Sequence, residues 1–313
     1  MSAPLIALTG ATGFIGQHLL NELPKRGYRI RVLLRRPSDV PAGASSAVIG
    51  DIASPHNMAA ALRNVDMVIH SAGLAHAMSG RPEDDYRTIN TEATVRLAQA
   101  AERAGVKRFV FLSSIRAQTG PTAEGVVTEA RDPQPTDPYG RSKLEAERGL
   151  SELGLDWTAL RPVLVYGPGV KGNMAALLAL AQSPWPLPLG GLSAKRSLLS
   201  LDNLAAAVDT VLKAPAPLRR PFIVADPEPV TIPDMVTALR QGFGRAPGLV
   251  PVPPFVLKGA AALAGRGEAY ERLAGSLVAS PEALRNLGWR PVSSTRDALA
   301  ELARQAGAQA SGA

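Results

Sequence analysis

From Leu5 to about Leu153, short apolar runs alternate with longer stretches in which apolar residues recur every three or four positions. Short continuous apolar runs fit strands buried on both faces, and the longer periodic stretches fit helices that cover them. The alternation therefore predicts a parallel sheet with crossover helices. Strands are predicted at Leu5 to Thr9, Arg29 to Leu34, Ala47 to Ile49, Met67 to His70 and Arg108 to Leu112, with a sixth at Trp157 to Arg161. Helices are predicted over Phe14 to Arg26, Ser54 to Arg63 and Glu83 to Ala104. Ser54 offers a side-chain cap with Pro55 at the first helical position, and Gly105 closes the third helix.

The pattern changes after Arg161. Pro and Gly crowd the stretch from Pro162 to Gly191, which predicts loops projecting from the sheet with short helices among them, a natural place to bind a substrate. Asp202 to Leu212 reads as a helix that rejoins the core and Pro221 to Ala225 as a strand. The Ala/Gly-rich tail beyond Gln305 reads as frayed.

With 313 residues the chain can bury a large α/β core, with or without a smaller appended domain. Apolar stretches of membrane-spanning length are interrupted; Phe255 to Ala279 contains Lys258, Arg266, Glu268, Glu271 and Arg272, so no membrane insertion is expected. The N-terminus shows no basic region or cleavage pattern, and no secretory signal is expected. The chain lacks cysteine, which excludes disulfides and thiolate chemistry and suits a reducing, cytoplasmic location. Its four histidines show no metal-ligand spacing, so no metal is expected. The net charge of +7 is spread along the chain with dense pairs only at Arg35-Arg36 and Arg219-Arg220. No nucleic-acid motif accompanies it, and anionic small ligands account for it as well.

The first strand runs into Gly10, Gly13 and Gly16 at the head of a helix. This spacing lets backbone approach a pyrophosphate at a helix N-terminus, where free N–H groups and the dipole favour anions. A dinucleotide site commonly ends its second strand with an acid that binds the adenosine ribose, but Arg35 and Arg36 stand here instead. Guanidinium forks suit a 2′-phosphate, which predicts NADP(H) as the preferred cofactor with NAD(H) possible. Asp51 and Ile52, after the third strand, are placed for the adenine. Ser71, Ala72 and Gly73 end the fourth strand with small residues where backbone passes the cofactor.

Tyr139 and Lys143 lie four residues apart, on one face of a helix, downstream of Ser113 and Ser114. A nearby ammonium favours phenolate, so the pair is expected to lower a pKa of about 10 and give a proton donor and acceptor near neutral pH. The spacing alone recurs by chance. Its order after the glycine-rich turn gives it weight.

These residues together resemble the extended short-chain dehydrogenase/reductase family, in its nucleotide-sugar epimerase/dehydratase branch. The resemblance spans TGATGFIG at 9–16, Gly50-Asp51-Ile52, HSAG at 70–73, Asn90, FLSSI at 111–115, YGRSK at 139–143 and RPVLVYGPG at 161–169. It implies an α/β fold, a Rossmann doubly wound parallel sheet with a smaller C-terminal substrate-binding domain. Residues 1–165 with about 197–225 would form the first, and about 166–196 with 226–313 the second. It implies Ser114, Tyr139 and Lys143 as the catalytic residues, Ser114 being preferred to Ser113 because a gapless fifth strand keeps the family distance to the tyrosine. It adds Thr12, Phe14, Ile15, Asn90 and Pro162 to the cofactor residues. Asn173 and Arg196 would hold a sugar-nucleotide diphosphate, Leu187 and Leu189 would flank the base, and His76 and Arg272 are further substrate candidates. The strings VKGNM, PLPLG, KRSLLSLDNL and RLAGSL look most like bacterial O-antigen and glycan enzymes acting at C4 of UDP-linked N-acetylhexosamines. A homodimer is implied as well.

Departures from the family pattern narrow the chemistry. Dehydratases place Asp-Glu where Ile115-Arg116 stands, and the 3,5-epimerizing reductases use a cysteine that this chain lacks. Oxidation or reduction at one carbinol remains. Arg35 and Arg36 favour an NADPH-dependent 4-ketoreductase acting on a UDP-4-keto-(6-deoxy)-N-acetylhexosamine, while family frequencies favour a UDP-sugar 4-epimerase with a retained cofactor. A non-catalytic NADP-sensing regulator and a dehydrogenase of sterol-like alcohols are the readings from other classes.

Overall fold

The computed structural model describes residues 3–75, 80–215, 217–263, 265, 267, 270 and 274–311. Seven strands form one sheet in which every pairing is parallel. Strand β1 (Leu5–Thr9) lies between β2 (Arg29–Leu34) and β4 (Met67–His70). Beyond β2 comes β3 (Ser45–Val48), and beyond β4 come β5 (Arg108–Leu112), Trp157–Pro162 and Arg220–Val224. Chain order thus reverses between β1 and β4. Such a switch point opens a crevice at the carboxyl ends of the strands, where ligands of doubly wound sheets bind.

The continuous apolar run of β1 follows from burial on both sides. Ile6 and Leu8 face a core with Leu19, Leu20, Leu204 and Val208, while Leu5 and Ala7 face a second core with Leu97, Ala98 and Leu150. The strand between them has no solvent face on which to place polar residues.

The helices depart from expectation where local hydrogen bonding intervenes. Helix α1 (Phe14–Glu22) stops short of Arg26, because Pro24 lacks a donor and opens a 3₁₀ turn instead. The helix expected over Ser54 to Arg63 shrinks to α2 (Met58–Ala61). Asp51 accepts from the Ala53 backbone N–H at 2.9 Å and Ser54 N–H bonds the Asp51 carbonyl, so Ser54 is part of a turn and not a helix cap. Asn57, with φ of 58°, then starts the helix. The third expected helix is realised as α3 (Glu83–Tyr86), a π turn at Arg87–Glu92, and α4 (Ala93–Arg103). The expected strand at Ala47 to Ile49 begins earlier, at Ser45. The tail is not frayed at Gln305: a helix runs Thr295–Ser311, its Leu299, Leu302 and Ala303 packed in a third core.

That third core also gathers Tyr166, Met174, Leu187, Ile232, Met235 and Leu239 from the Pro/Gly-rich C-terminal half. Asp226, 2% exposed, links it to the sheet. The carboxylate accepts from the Tyr166 hydroxyl at 2.9 Å, from the Asn203 amide at 2.7 Å and from the Ser200 backbone N–H.

Candidate active site

At the switch point, Gly10 adopts φ of +71°, and a Cβ there would lie 2.6 Å from the Ala72 nitrogen. A Cβ on Gly16 would lie 2.0 Å from the Gly10 carbonyl oxygen. The glycines let α1 press against the turn, and Gly13 caps α1 with its N–H bonded to Gly10 O. Above the turn lies a groove of about 580 Å³. Of the cofactor residues expected from sequence, Gly10, Thr12, Arg35, Arg36, Asp51, Ile52, Ala72 and Gly73 line it. Gly13, Phe14, Ile15 and Gly16 form the turn and the start of α1 beside it. Ser71 leads into the lining at Ala72, and Pro162 is buried at the end of its strand. Asn90 lies fully buried in the π turn; its amide oxygen accepts from Leu74 N–H at 2.8 Å and its NH₂ donates to Leu74 O and Ser142 Oγ. Arg35 and Asp51 form an exposed ion pair of 3.3 Å across the outer end of the groove.

Helix α5 (Pro138–Ser151) begins with Asp137 as cap and Pro138 at its first position. It brings Tyr139 to the Ser114 hydroxyl, with which the phenol is hydrogen bonded. Lys143, 5% exposed, donates to the Leu112 carbonyl at 2.9 Å and lies 4.5 Å over the Phe111 ring. Burial drives the lysine down to about 8, against the opposing charge of Glu147. The expected lowering of the tyrosine does not occur in this state. Burial raises the phenol above its ordinary value and outweighs the Ser114 hydrogen bond and the nearby Arg116.

Ser113 points elsewhere. Its hydroxyl donates to Glu147 at 2.5 Å, beneath the site.

A second cavity, about 270 Å³, opens in the C-terminal half between Asn173, Arg196 and the apolar side chains of Met174, Leu177, Leu189 and Met235. Asn173 stands at the head of the helix Gly172–Gln182, as expected. Burial lowers the pKa of the Arg196 guanidinium, which is the one cationic group among the described residues that line the cavity. Leu187 is not in this lining; it is buried in the third core and pairs with Leu249. His76 and Arg272 lie outside the described residues.

Residues 6–225 match the family described as NAD dependent epimerase/dehydratase. The chain belongs to that family. A UDP-glucose 4-epimerase of Vibrio cholerae is 35% identical over 310 residues, 96% of this chain and 94% of the relative. A solved structure of MoeE5 in complex with UDP-glucose and NAD superposes with a TM-score of 0.74 at 26% identity, covering 98% of this chain and 99% of that one. The UDP-N-acetylglucosamine 4-epimerase of Bacillus cereus shares the fold, with a TM-score of 0.79 at 22% identity over 98% of this chain and 100% of that one. The chain is therefore an enzyme of the epimerase/dehydratase family, and its groove and glycine turn suit a nicotinamide dinucleotide.

Three groups in this family member escaped the sequence reading. Glu147, one turn beyond Lys143, forms a fully buried pair with Arg161 and also accepts from Ser113, while Arg161 reaches Gln118. The four-residue step from Lys143 was the available signal, since it turns a carboxylate toward the sheet. Arg116 bonds Asp137 at the mouth of the site. His70 accepts from Thr9 Oγ1 through Nδ1 at 2.7 Å and donates from Nε2 to Thr94 at 3.0 Å, because Thr94 spends its own proton on the Asn90 carbonyl. Burial pushes that imidazole down to about 3, so it is a neutral strut between β1, β4 and α4.

Proposed function

We propose that this enzyme exchanges hydride at C4 of a UDP-linked hexose, foremost as an NADPH-dependent reductase of a UDP-4-keto-(6-deoxy)-N-acetylhexosamine. The observation that carries the reading is the Ser114–Tyr139 hydrogen bond just past the carboxyl end of β5, with Lys143 beside Gly73 of the groove wall, where a Cβ would lie 3.5 Å from Nζ, and with the Asn173/Arg196 cavity in the C-terminal half. Reduction follows from Arg35 and Arg36, which line the groove where an adenosine 2′-phosphate would be read.

In this reading, Gly10, Thr12 and Gly13 cradle the pyrophosphate, and Arg35 and Arg36 take the 2′-phosphate. The bound nicotinamide supplies the hydride. Tyr139, whose raised pKa keeps its proton in place, donates it to the oxygen at C4, and Ser114 hydrogen-bonds the same oxygen. Lys143 keeps a positive charge beside the phenolate that remains and holds the nicotinamide ribose. Asn173 and Arg196 bind the diphosphate, with residues of about 166–196 and 226–313 forming the sugar-nucleotide lobe.

A second reading rests on the Vibrio cholerae relative: a UDP-sugar 4-epimerase in which Tyr139 takes and returns the same proton while the cofactor stays bound. Incubation with UDP-N-acetylhexosamines and their 4-keto-6-deoxy derivatives separates the two. Stoichiometric loss of NADPH absorbance with the keto sugar is the result expected. Interconversion of C4 epimers, by NMR and without net cofactor change, establishes the epimerase instead. Turnover that survives Tyr139→Phe sinks the mechanism in both forms.

A further inference from the structure

Two segments of the C-terminal half, 163–201 and 235–267, contain all of Lys171, Lys195, Arg196, Arg240, Arg245, Lys258 and Arg266, yet none of the chain's 27 acidic residues. They also lie side by side. Leu187 pairs with Leu249, the Gly190 N–H bonds Val250 O at 3.0 Å, and a Cβ on Gly191 would be 2.1 Å from Val252 O. Arg240 fixes the seam by donating to the carbonyls of Ser183, Trp185 and Pro247.

Along this seam several large apolar side chains are exposed while Leu187 and Leu192 are buried beneath it. Trp185 is 74% exposed, Phe255 76% and Leu263 93%, with Val250 and Val256 also exposed. Phe255, Val256 and Leu263 belong to the helix Pro254–Leu263, which follows the seam directly and is tied by the Tyr270 hydroxyl to Pro254 O. Lys171, Lys195, Arg245 and Lys258 are exposed in the same two segments.

We propose that this face docks on the surface of an anionic lipid bilayer. Its charge complements such a surface, since the segments offer cations and no carboxylate to be repelled. Trp, Phe and Leu side chains beside lysine and arginine are the residues that enter the boundary between headgroups and acyl chains. No described helix is long and apolar enough to span the membrane, so the contact is peripheral. Leu189, in the lining of the Asn173/Arg196 cavity, immediately precedes Gly190 at the seam, so the cavity adjoins the docked face.

The test uses the intact enzyme and vesicles of phosphatidylcholine with or without phosphatidylglycerol. Trp157 and Trp289 are buried, so a change in tryptophan emission reports Trp185. The expected result is sedimentation with the phosphatidylglycerol vesicles that weakens in salt, a blue shift, and quenching by bromolipids. Phe255→Ser with Leu263→Ser should lower partitioning about tenfold with an unchanged far-UV spectrum. Failure to bind the anionic vesicles, binding without quenching of Trp185, or a concentration-dependent dimer that the same double variant abolishes in the absence of vesicle binding would each overturn the proposal.

Discussion

The Lys143 ammonium is anchored on the Leu112 carbonyl, 2.9 Å away, where almost no solvent reaches it. An ammonium so placed is costly to the fold, and its pKa falls from 10.5 to about 8. The folded chain therefore binds this proton less tightly than the unfolded chain. The stability penalty is full below about pH 8 and fades as pH rises towards 10.5. Lys143→Met should raise unfolding free energy by about 1–2 kcal/mol at pH 7, after allowing for the orphaned carbonyl, and by less at pH 9.5. Turnover should drop roughly 10²-fold or more. Urea titrations at both pH values, beside kcat, check the opposed effects.

The same ionisation bears on the pH profile of the proposed reaction. If the charge of Lys143 is needed beside Tyr139, kcat/KM for reduction declines as pH rises through about 8. A profile flat to pH 9.5 would remove Lys143 from the proton chemistry.

Much of the site was legible because periodicity and motif order act locally. Tyr139 and Lys143 share a helix face, Asn173 heads a helix, and the glycine turn follows β1, all as their spacing implies. What escaped depends on partners distant in sequence. The Glu147–Arg161 pair needs α5 laid against the strand Trp157–Pro162. The short α2 reflects the Asp51 turn winning over the Ser54 cap, a contest between two local hydrogen-bonding options that sequence pattern does not rank. The direction of the Tyr139 shift was misjudged for a related reason. Burial was invisible in the sequence, and it dominates the charge of the neighbours.

Arg35 and Arg36 line the outer groove, with Arg35 steered by Asp51 at 3.3 Å. Each guanidinium that reads a 2′-phosphate makes charge-assisted hydrogen bonds that NAD cannot offer. Arg35→Ala and Arg36→Ala should each raise the KM for NADPH about 10- to 100-fold and leave that for NADH within about twofold. Equal losses for both cofactors would place these arginines outside 2′-phosphate recognition.

Glu147→Gln leaves Arg161 buried without its counter-charge, and breaking such a pair from one side costs about 3 kcal/mol or more. It also removes the carboxylate whose field raises the Lys143 pKa. Two readouts should move together: lower stability in urea, and an alkaline limb of the rate profile displaced to lower pH. A stability loss with an unmoved limb would make Glu147 purely structural.

Asp226 titrates in the opposite sense from most carboxylates. Burial lifts it to about 6, although hydrogen bonds from Asn203, the Ser200 N–H and Tyr166 pull it down. The folded state thus prefers the protonated acid. Its contribution to stability is fully present below about 3.8 and is lost as pH rises through about 6. Asp226→Asn keeps an oxygen for Asn203 and Ser200, and its NH₂ can donate to the Tyr166 oxygen while the phenol proton turns to the Thr295 carbonyl at 3.2 Å. The variant should therefore be more stable than the parent by about 1–2 kcal/mol at pH 7.5 and no more stable at pH 4.5. Denaturation curves at the two pH values test this. Parallel stability of parent and variant across the range would show that the charge on Asp226 is compensated in the fold.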